Sequence, residues 1–368
     1  MSIKVWDYKK EFEIEKEEIF KAVEKVFESG RLIFGKSLES FEENFSTYCQ
    51  TAMGVGVDNG TNAIFLALKA LNLPEKSEII TVSNTAVPTV SAIVSAGHIP
   101  KFVDIDLDTY LMDTSMLDKA INSKTKCIIP VHLYGQCVEM DPVLEIAKKN
   151  NLFVIEDCAQ GHGAEYRGKK AGSMGDMGAF SFYPTKPLGG YGDAGMITTN
   201  NEEYALKLKR LRFYGMENVY YAEEHGYNSR LDDIHAAILD VKLKKLDNYI
   251  DKRRILAKRY NERLNIDDLI IPSVAKKNKH VFYIYVCRHP KRDMIVDELK
   301  KHDIYINISY PWPIHTMRGY SFLGNRVGDL PKTELACSQI FSLPMYPQLT
   351  LEEVDRVCDV LENILVKD

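Results

Sequence analysis

Three short segments carry residue types that could do chemistry together. The first is Gly54-Val-Gly-Val-Asp-Asn-Gly60-Thr61, where an apolar strand enters a glycine-rich turn and a helix is predicted to open at Asn62. A helix N-terminus offers unpaired N–H groups and the positive end of a dipole, so this junction could cradle a phosphate. A dinucleotide fingerprint needs G-x-G-x-x-G, and Gly60 comes one residue late; a P-loop needs Gly-Lys-Ser/Thr, which is absent. An ordinary strand–turn–helix junction stays open as the plain alternative.

The second segment is Phe153-Val-Ile-Glu-Asp157-Cys-Ala-Gln160-Gly-His162. An apolar strand ends in a carboxylate. Ligands of open α/β sheets sit at the carboxyl ends of strands, which favours Asp157 as a site residue; a simple helix or turn cap is the alternative. Glu156 and Asp157 point to opposite faces of a strand and cannot act as one dyad. His162 has no second His or Cys at zinc-motif spacing and reads as a core or supporting histidine. The third segment is Ala179-Phe-Ser181-Phe-Tyr183-Pro-Thr-Lys186-Pro-Leu-Gly-Gly-Tyr-Gly192-Asp193. Most lysines are solvated surface charges. Here the aromatic and apolar flanks would desolvate the ammonium, and such a lysine condenses with carbonyl compounds. No segment is specific by itself. In this order they meet the needs of pyridoxal 5'-phosphate: a cradle for its phosphate, a carboxylate for its pyridine nitrogen and an amine for its aldehyde.

The elements that must position these residues alternate. Strands are predicted at 53–57, 78–82, 101–104, 126–131, 152–155, 179–183 and 195–199, with helices at 11–29, 38–48, 63–71, 87–95 and 140–149 between or before them. The strands are near-continuously apolar, the mark of a mostly parallel sheet covered on both faces. Leu239, Leu243, Leu246 and Ile250 form a stripe at helical spacing and predict one long helix over 231–265. Composition then shifts to an aromatic-rich strand at 281–286 and helices at 292–301, 329–337 and 351–365. The division expected is a large domain over 1–250 and a smaller α+β domain over 251–368.

Composition narrows the class. The 368 residues carry a formal net charge of −5, which excludes a strongly basic nucleic-acid surface. Charges scattered through the first twenty residues leave no signal-peptide core, and no long uncharged apolar run predicts a membrane span. The seven cysteines are scattered with no Cys-x-x-Cys pair. They fit a reducing compartment, so the expected location is cytoplasmic.

The sequence resembles the DegT/DnrJ/EryC1/StrS sugar aminotransferases, of fold type I (aspartate-aminotransferase-like) among pyridoxal-phosphate enzymes. The likeness runs from about residue 30 to the C-terminus. Its landmarks are VDNGTNAIFLAL (57–68), KFVDIDLDTYLMD (101–113), PVHLYGQ (130–136), IEDCAQGHGA (155–164), SFYPTKPLGGYGDAG (181–195), GYNSRLDDIHAAI (226–238), GDLPKTE (328–334) and SLPMYPQL (342–349).

The resemblance implies roles position by position. Lys186 matches the lysine that holds the cofactor covalently and later moves the proton between cofactor and substrate. Asp157 matches the partner of the pyridine nitrogen, and Gln160 the contact to the ring hydroxyl. Gly60, Thr61 and Ser181 match phosphate ligands. Asn228 matches an asparagine that reaches the phosphate from the neighbouring subunit, which implies a homodimer with shared active sites. Tyr183, Tyr310 and His315 match positions lining the substrate pocket. Three positions depart from the family pattern: Ala86 stands where an aromatic residue often stacks on the cofactor, Pro187 where Asn is usual, and Tyr214 where His is frequent. The implied reaction moves an amino group from L-glutamate, which leaves as 2-oxoglutarate, to a nucleotide-linked keto sugar. The form Asn59-Gly-Thr-Asn62-Ala resembles that of 3-aminotransferases and points to C3 of a dTDP-linked 3-keto-6-deoxyhexose. Amination at C4 of a dTDP-, UDP- or GDP-linked 4-keto sugar is the alternative. A regulator that kept the fold without turnover, and a nucleotide-binding oxidoreductase, are the readings from other classes.

Overall fold

A computed structural model describes residues 2–218 and 220–366. Seven strands form the main sheet: β1 (Met53–Val57), β2 (Glu78–Val82), β3 (Ile99–Val103), β4 (Thr125–Ile128), β5 (Phe153–Asp157), β6 (Met177–Ser181) and β7 (Gly195–Thr199). Their order is β1-β7-β6-β5-β4-β2-β3. Only β7 runs against its neighbours, pairing antiparallel with both β1 and β6. The carboxyl ends of the other six therefore share one edge, and that edge is where a ligand site is expected.

Helices cover both faces. Their order begins with α1 (Tyr8–Ser29), α2 (Lys36–Tyr48), α3 (Gly60–Ala70), α4 (Val87–Ser95), α5 (Met140–Asn150) and α6 (Glu202–Leu211). One core layer packs Ile64, Leu68 and Ile93 against Val55, Ile79 and Ile155; the other packs Phe41 and Phe45 against Ile80, Phe180 and Phe182. Such two-sided burial explains why the strands read as unbroken apolar runs rather than alternating ones.

Three sequence expectations change. The helix after β1 opens at Gly60, not Asn62, because the Asn59 side chain accepts from Asn62 N and caps it there. The long helix is two, α7 (Asp233–Leu243) and α8 (Leu246–Arg263). Lys244 and Lys245 between them keep right-handed backbone, so the apolar spacing carries across the break and hides it. The aromatic strand is Tyr285–Arg288 (β8), which pairs with Ile340–Leu343 (β9). Phe282 has a φ of 49, incompatible with a strand.

A second core gathers Leu256, Tyr260, Tyr285, Ile295, Phe341 and Val357 from the C-terminal elements, which include α9 (Arg292–Lys301), α10 (Pro331–Gln339) and α11 (Leu351–Val366). Ile3 belongs to this core and bridges Ile304, so the start of the chain packs with its far end.

Candidate active site

The ends of β1, β2, β5 and β6 surround a cavity of about 240 Å³. Its walls are Gly60 and Thr61 from α3, Thr85, Ala86 and Thr89 around the start of α4, Asp157 and Gln160 after β5, and Ser181, Tyr183, Lys186 and Asp193 around and beyond the end of β6. The fold thus brings Lys186, Asp157, Gln160, Gly60, Thr61, Ser181 and Tyr183 to one place.

The first wall is a helix start pressed against a strand end. A Cβ on Gly60 would lie 2.5 Å from Ser181 Cβ, so only glycine fits. Among the described residues no acceptor takes the Gly60 or Thr61 N–H, and both residues line the cavity. Those N–H groups and the dipole behind them suit a phosphate.

Asp157 forms the opposite wall. Its carboxylate accepts from Thr89 Oγ1 at 2.7 Å and from Ala159 N at 3.1 Å. Burial pushes its carboxyl above the usual carboxylate range, opposed in part by the Thr89 hydrogen bond, Ala159 N–H and the Lys186 charge. Behind it, Glu156 faces the other way, as the alternation of a strand requires. Glu156 accepts from the N–H groups of Gly172, Met174 and Gly175 and pairs with His132 Nε2 at 2.8 Å. Burial pushes the Glu156 carboxyl up, but the His132 contact and the backbone donors outweigh it and hold it low.

Lys186 is half-buried, its Nζ 5.0 Å from the centre of the Tyr283 ring. Gln160 is pinned at both ends of its amide: Tyr134 N donates to its Oε1 at 2.8 Å, and its Nε2 donates to Tyr310 Oη at 2.9 Å. Tyr310 reaches the site through that bond, and burial raises its phenol.

Two sequence-selected residues stand apart. His315 is buried, but Ser83 Oγ and Glu334 occupy both its ring nitrogens at 2.8 and 3.0 Å, and it does not line the cavity. It ties its loop to the end of β2. Asn228 is exposed beside the bridge to Phe213, outside the cavity of its own chain. His162 packs among Phe45, Phe180 and Phe182, and burial pushes its imidazole down to about 3, which keeps it neutral. At the departures, Ala86 lines the cavity as the residue before α4, Pro187 is buried behind Lys186, and Tyr214 takes a left-handed φ of 56. Sequence reasoning missed Thr89 and Tyr283. A lone hydroxyl in the first turn of apolar α4 was the one local signal for Thr89.

Pyridoxal phosphate fits this donor set. The glycine-gated helix start suits an anion, the buried Asp157 carboxylate has no bonded cation among the described residues and suits a protonated ring nitrogen, and Lys186 offers an amine. Fold and site define a fold type I pyridoxal-phosphate enzyme. The chain belongs to the DegT/DnrJ/EryC1/StrS aminotransferase family, whose model matches residues 13–362. It is 50% identical, over 99% of both chains, to the dTDP-3-amino-3,4,6-trideoxy-alpha-D-glucose transaminase of Micromonospora megalomicea subsp. nigra. It is 40% identical to the dTDP-3-amino-3,6-dideoxy-alpha-D-galactopyranose transaminase of Aneurinibacillus thermoaerophilus, over 94% of this chain and 95% of that one. The solved structure of S. venezuelae DesV in complex with a ketimine intermediate superposes with a TM-score of 0.96 at 35% identity, covering 98% of each chain. The protein is a pyridoxal-phosphate-dependent aminotransferase.

Proposed function

We propose that the enzyme transfers an amino group from L-glutamate to C3 of a dTDP-linked 3-keto-6-deoxyhexose, giving the 3-amino sugar and 2-oxoglutarate. The observation that carries the chemistry is the convergence of Lys186, Asp157 and the α3 N-terminus on one cavity. The position on the sugar is supported by the relatives, whose names place the amine at C3. Those names differ at C4, where one sugar is deoxy and the other is not, so the proposal commits to C3 alone.

Each residue has a task in this reading. The cofactor, when bound, supplies an electron sink for the carbon losing its proton. Asp157 holds a proton on the ring nitrogen. Gly60, Thr61 and Ser181 anchor the phosphate. Gln160, fixed by Tyr134 and Tyr310, orients the ring hydroxyl. Lys186, as a free amine, takes and returns the proton at the reacting carbon. Tyr183, 52% exposed at the cavity wall, meets the sugar. Asn228 is offered outward, which suits a homodimer whose partner completes the phosphate site. We assign residues 1–250 to the cofactor domain and 251–368 to the smaller one. Seven buried free cysteines suit a cytoplasmic enzyme, and among the described residues no helix is long and apolar enough to cross a membrane.

The test is incubation with L-glutamate and a panel of nucleotide keto sugars, with the new amine located by NMR. Amination of the 3-keto substrate with release of 2-oxoglutarate is expected. Amination at C4 would overturn the proposed position.

A further inference from the structure

The nucleotide has no obvious seat inside the site. A cavity of about 240 Å³ lies below the volume a single drug-sized ligand usually occupies, and the cofactor takes part of it. The nucleoside diphosphate of the substrate therefore extends beyond this cavity. One loop is bonded to a residue of the cavity wall and tied down at both ends. Tyr310 at its start bonds Gln160, and Tyr134 Oη bonds the Ser309 carbonyl at 2.6 Å. Ile314 N and His315 N at its end bond the Ser83 carbonyl and hydroxyl, just past the end of β2. Its start is thus tied to Gln160 in the cavity wall, and its end to Ser83, two residues before Thr85 of that wall.

Between these ties stands Pro311-Trp312-Pro313. Trp312 is 69% exposed while Ile314 and His315 beside it are buried. It lies two residues from Tyr310, so their Cα atoms are at most about 7 Å apart. The prolines fix φ on both sides and limit the freedom the loop would lose on binding. A single exposed aromatic on a surface usually means nothing. One held rigidly two residues from the tyrosine that bonds Gln160 is a different case.

We propose that Trp312 is the stacking platform for the nucleobase of the substrate, a binding residue whose ligand is the planar ring of a nucleoside diphosphate. Resting on the nucleotide-sugar reading, this inference adds the residue that recognises the nucleotide half. Stacking tolerates any base, so Trp312 would set affinity for the nucleotide rather than choose between thymine and uracil.

The chain has two tryptophans, Trp6 and Trp312, which makes a direct readout available. In Trp6→Phe holoenzyme, dTDP and UDP should each quench the remaining fluorescence saturably. In holoenzyme carrying Trp312→Ala, calorimetry should show the Kd of dTDP raised about tenfold, the loss expected for one base–aromatic stack. Trp312→Phe keeps a ring and should recover most of that loss. The KM for the nucleotide sugar should rise with the Kd while kcat changes little. If dTDP binds Trp312→Ala as tightly as wild type, the platform is refuted and the nucleotide-sugar reading stands. If neither dTDP nor UDP binds the wild-type holoenzyme, the nucleotide-sugar reading fails and the platform with it.

Discussion

Replacing Gly60 with alanine tests the phosphate cradle at its tightest point. The added Cβ would lie 2.5 Å from Ser181 Cβ and 3.1 Å from Ser181 Cα. Carbon atoms rest at about 3.5–4.0 Å, so roughly 1 Å of movement is required. Ser181 cannot supply it. It ends β6, paired with Gly195 of β7, and β5 holds the strand up to Ala179 just before it. The start of α3 must move instead, although Asn59 caps it and Asn62 Nδ2 bonds both oxygens of Asp58 at 2.9 Å. Overpacking of this kind costs about 1–3 kcal/mol of stability.

The larger effect falls on binding, because the moved atoms carry the N–H groups proposed to meet the phosphate. A 1 Å misplacement of positioning groups can cost about 10²-fold. Gly60→Ala should raise the Kd of pyridoxal phosphate by roughly that factor, measured by absorbance titration of the apoenzyme. Pyridoxal, which lacks the phosphate, should bind wild type and variant alike. Gly190→Ala is the matched control: its Cβ would meet nothing closer than 3.4 Å, an ordinary contact. If Gly60→Ala binds pyridoxal phosphate like wild type, or loses pyridoxal equally, the cradle is misplaced.

Other outcomes follow from the same geometry. Lys186→Ala should lose the visible absorbance of lysine-bound cofactor and turn over at least about 10²-fold more slowly, as befits loss of the acid–base group; a variant that keeps both would remove Lys186 from the reaction. Asp157 sits above its unfolded range because of burial, so its ionised form costs stability at pH above the folded pKa, and that cost is absent below about pH 4. Asp157→Asn should therefore make the apoenzyme more stable at neutral pH, with the gain fading in acid, while the holoenzyme loses activity; thermal melts from pH 4 to 8 and a turnover assay read both. Glu156 is held below its unfolded range, so its stabilisation is present above about pH 4.3 and is lost as pH falls through the lower folded pKa. Glu156→Gln should cost about 3–5 kcal/mol at pH 7, as for breaking a buried pair, and the gap to wild type should narrow in acid; a gap independent of pH would show that packing, not charge, is what Glu156 contributes.

The parts of this site legible in the sequence are those whose signal is local. Met53–Val57, Glu78–Val82, Val87–Ser95, Gly195–Thr199 and Arg292–Lys301 form as read, because each is an element whose turn signals sit at its own ends. Asp157 and Lys186 were visible for the same reason: Asp157 closes an apolar strand, and Lys186 comes in the loop just after another. What stayed hidden depends on partners far along the chain. Thr89 meets Asp157 across 68 residues, Gln160 meets Tyr310 across 150, and Ser83 meets His315 across 232. No period or motif encodes such pairs, since the path of the whole chain decides them. Hence family likeness placed His315 at the pocket, whereas its two ring nitrogens serve a strut between β2 and α10.

The charge arithmetic also gains meaning from the site. A chain of net charge −5 binds an anionic cofactor, and the charged residues walling its cavity are Asp157, Asp193 and one lysine. Attraction by net charge cannot explain that. The cavity instead presents opposite poles to a dipolar ligand. Its positive pole is the start of α3, in contact with the end of β6 at Ser181. Its negative pole is Asp157, at the end of β5, the next strand and so about 4.8 Å to the side. A ligand with an anionic arm and a protonable ring nitrogen satisfies both poles in only one direction. Lys186, beyond the end of β6, lines the same cavity. Fixed dipoles and one buried carboxylate therefore decide both which ligand is held and how it lies.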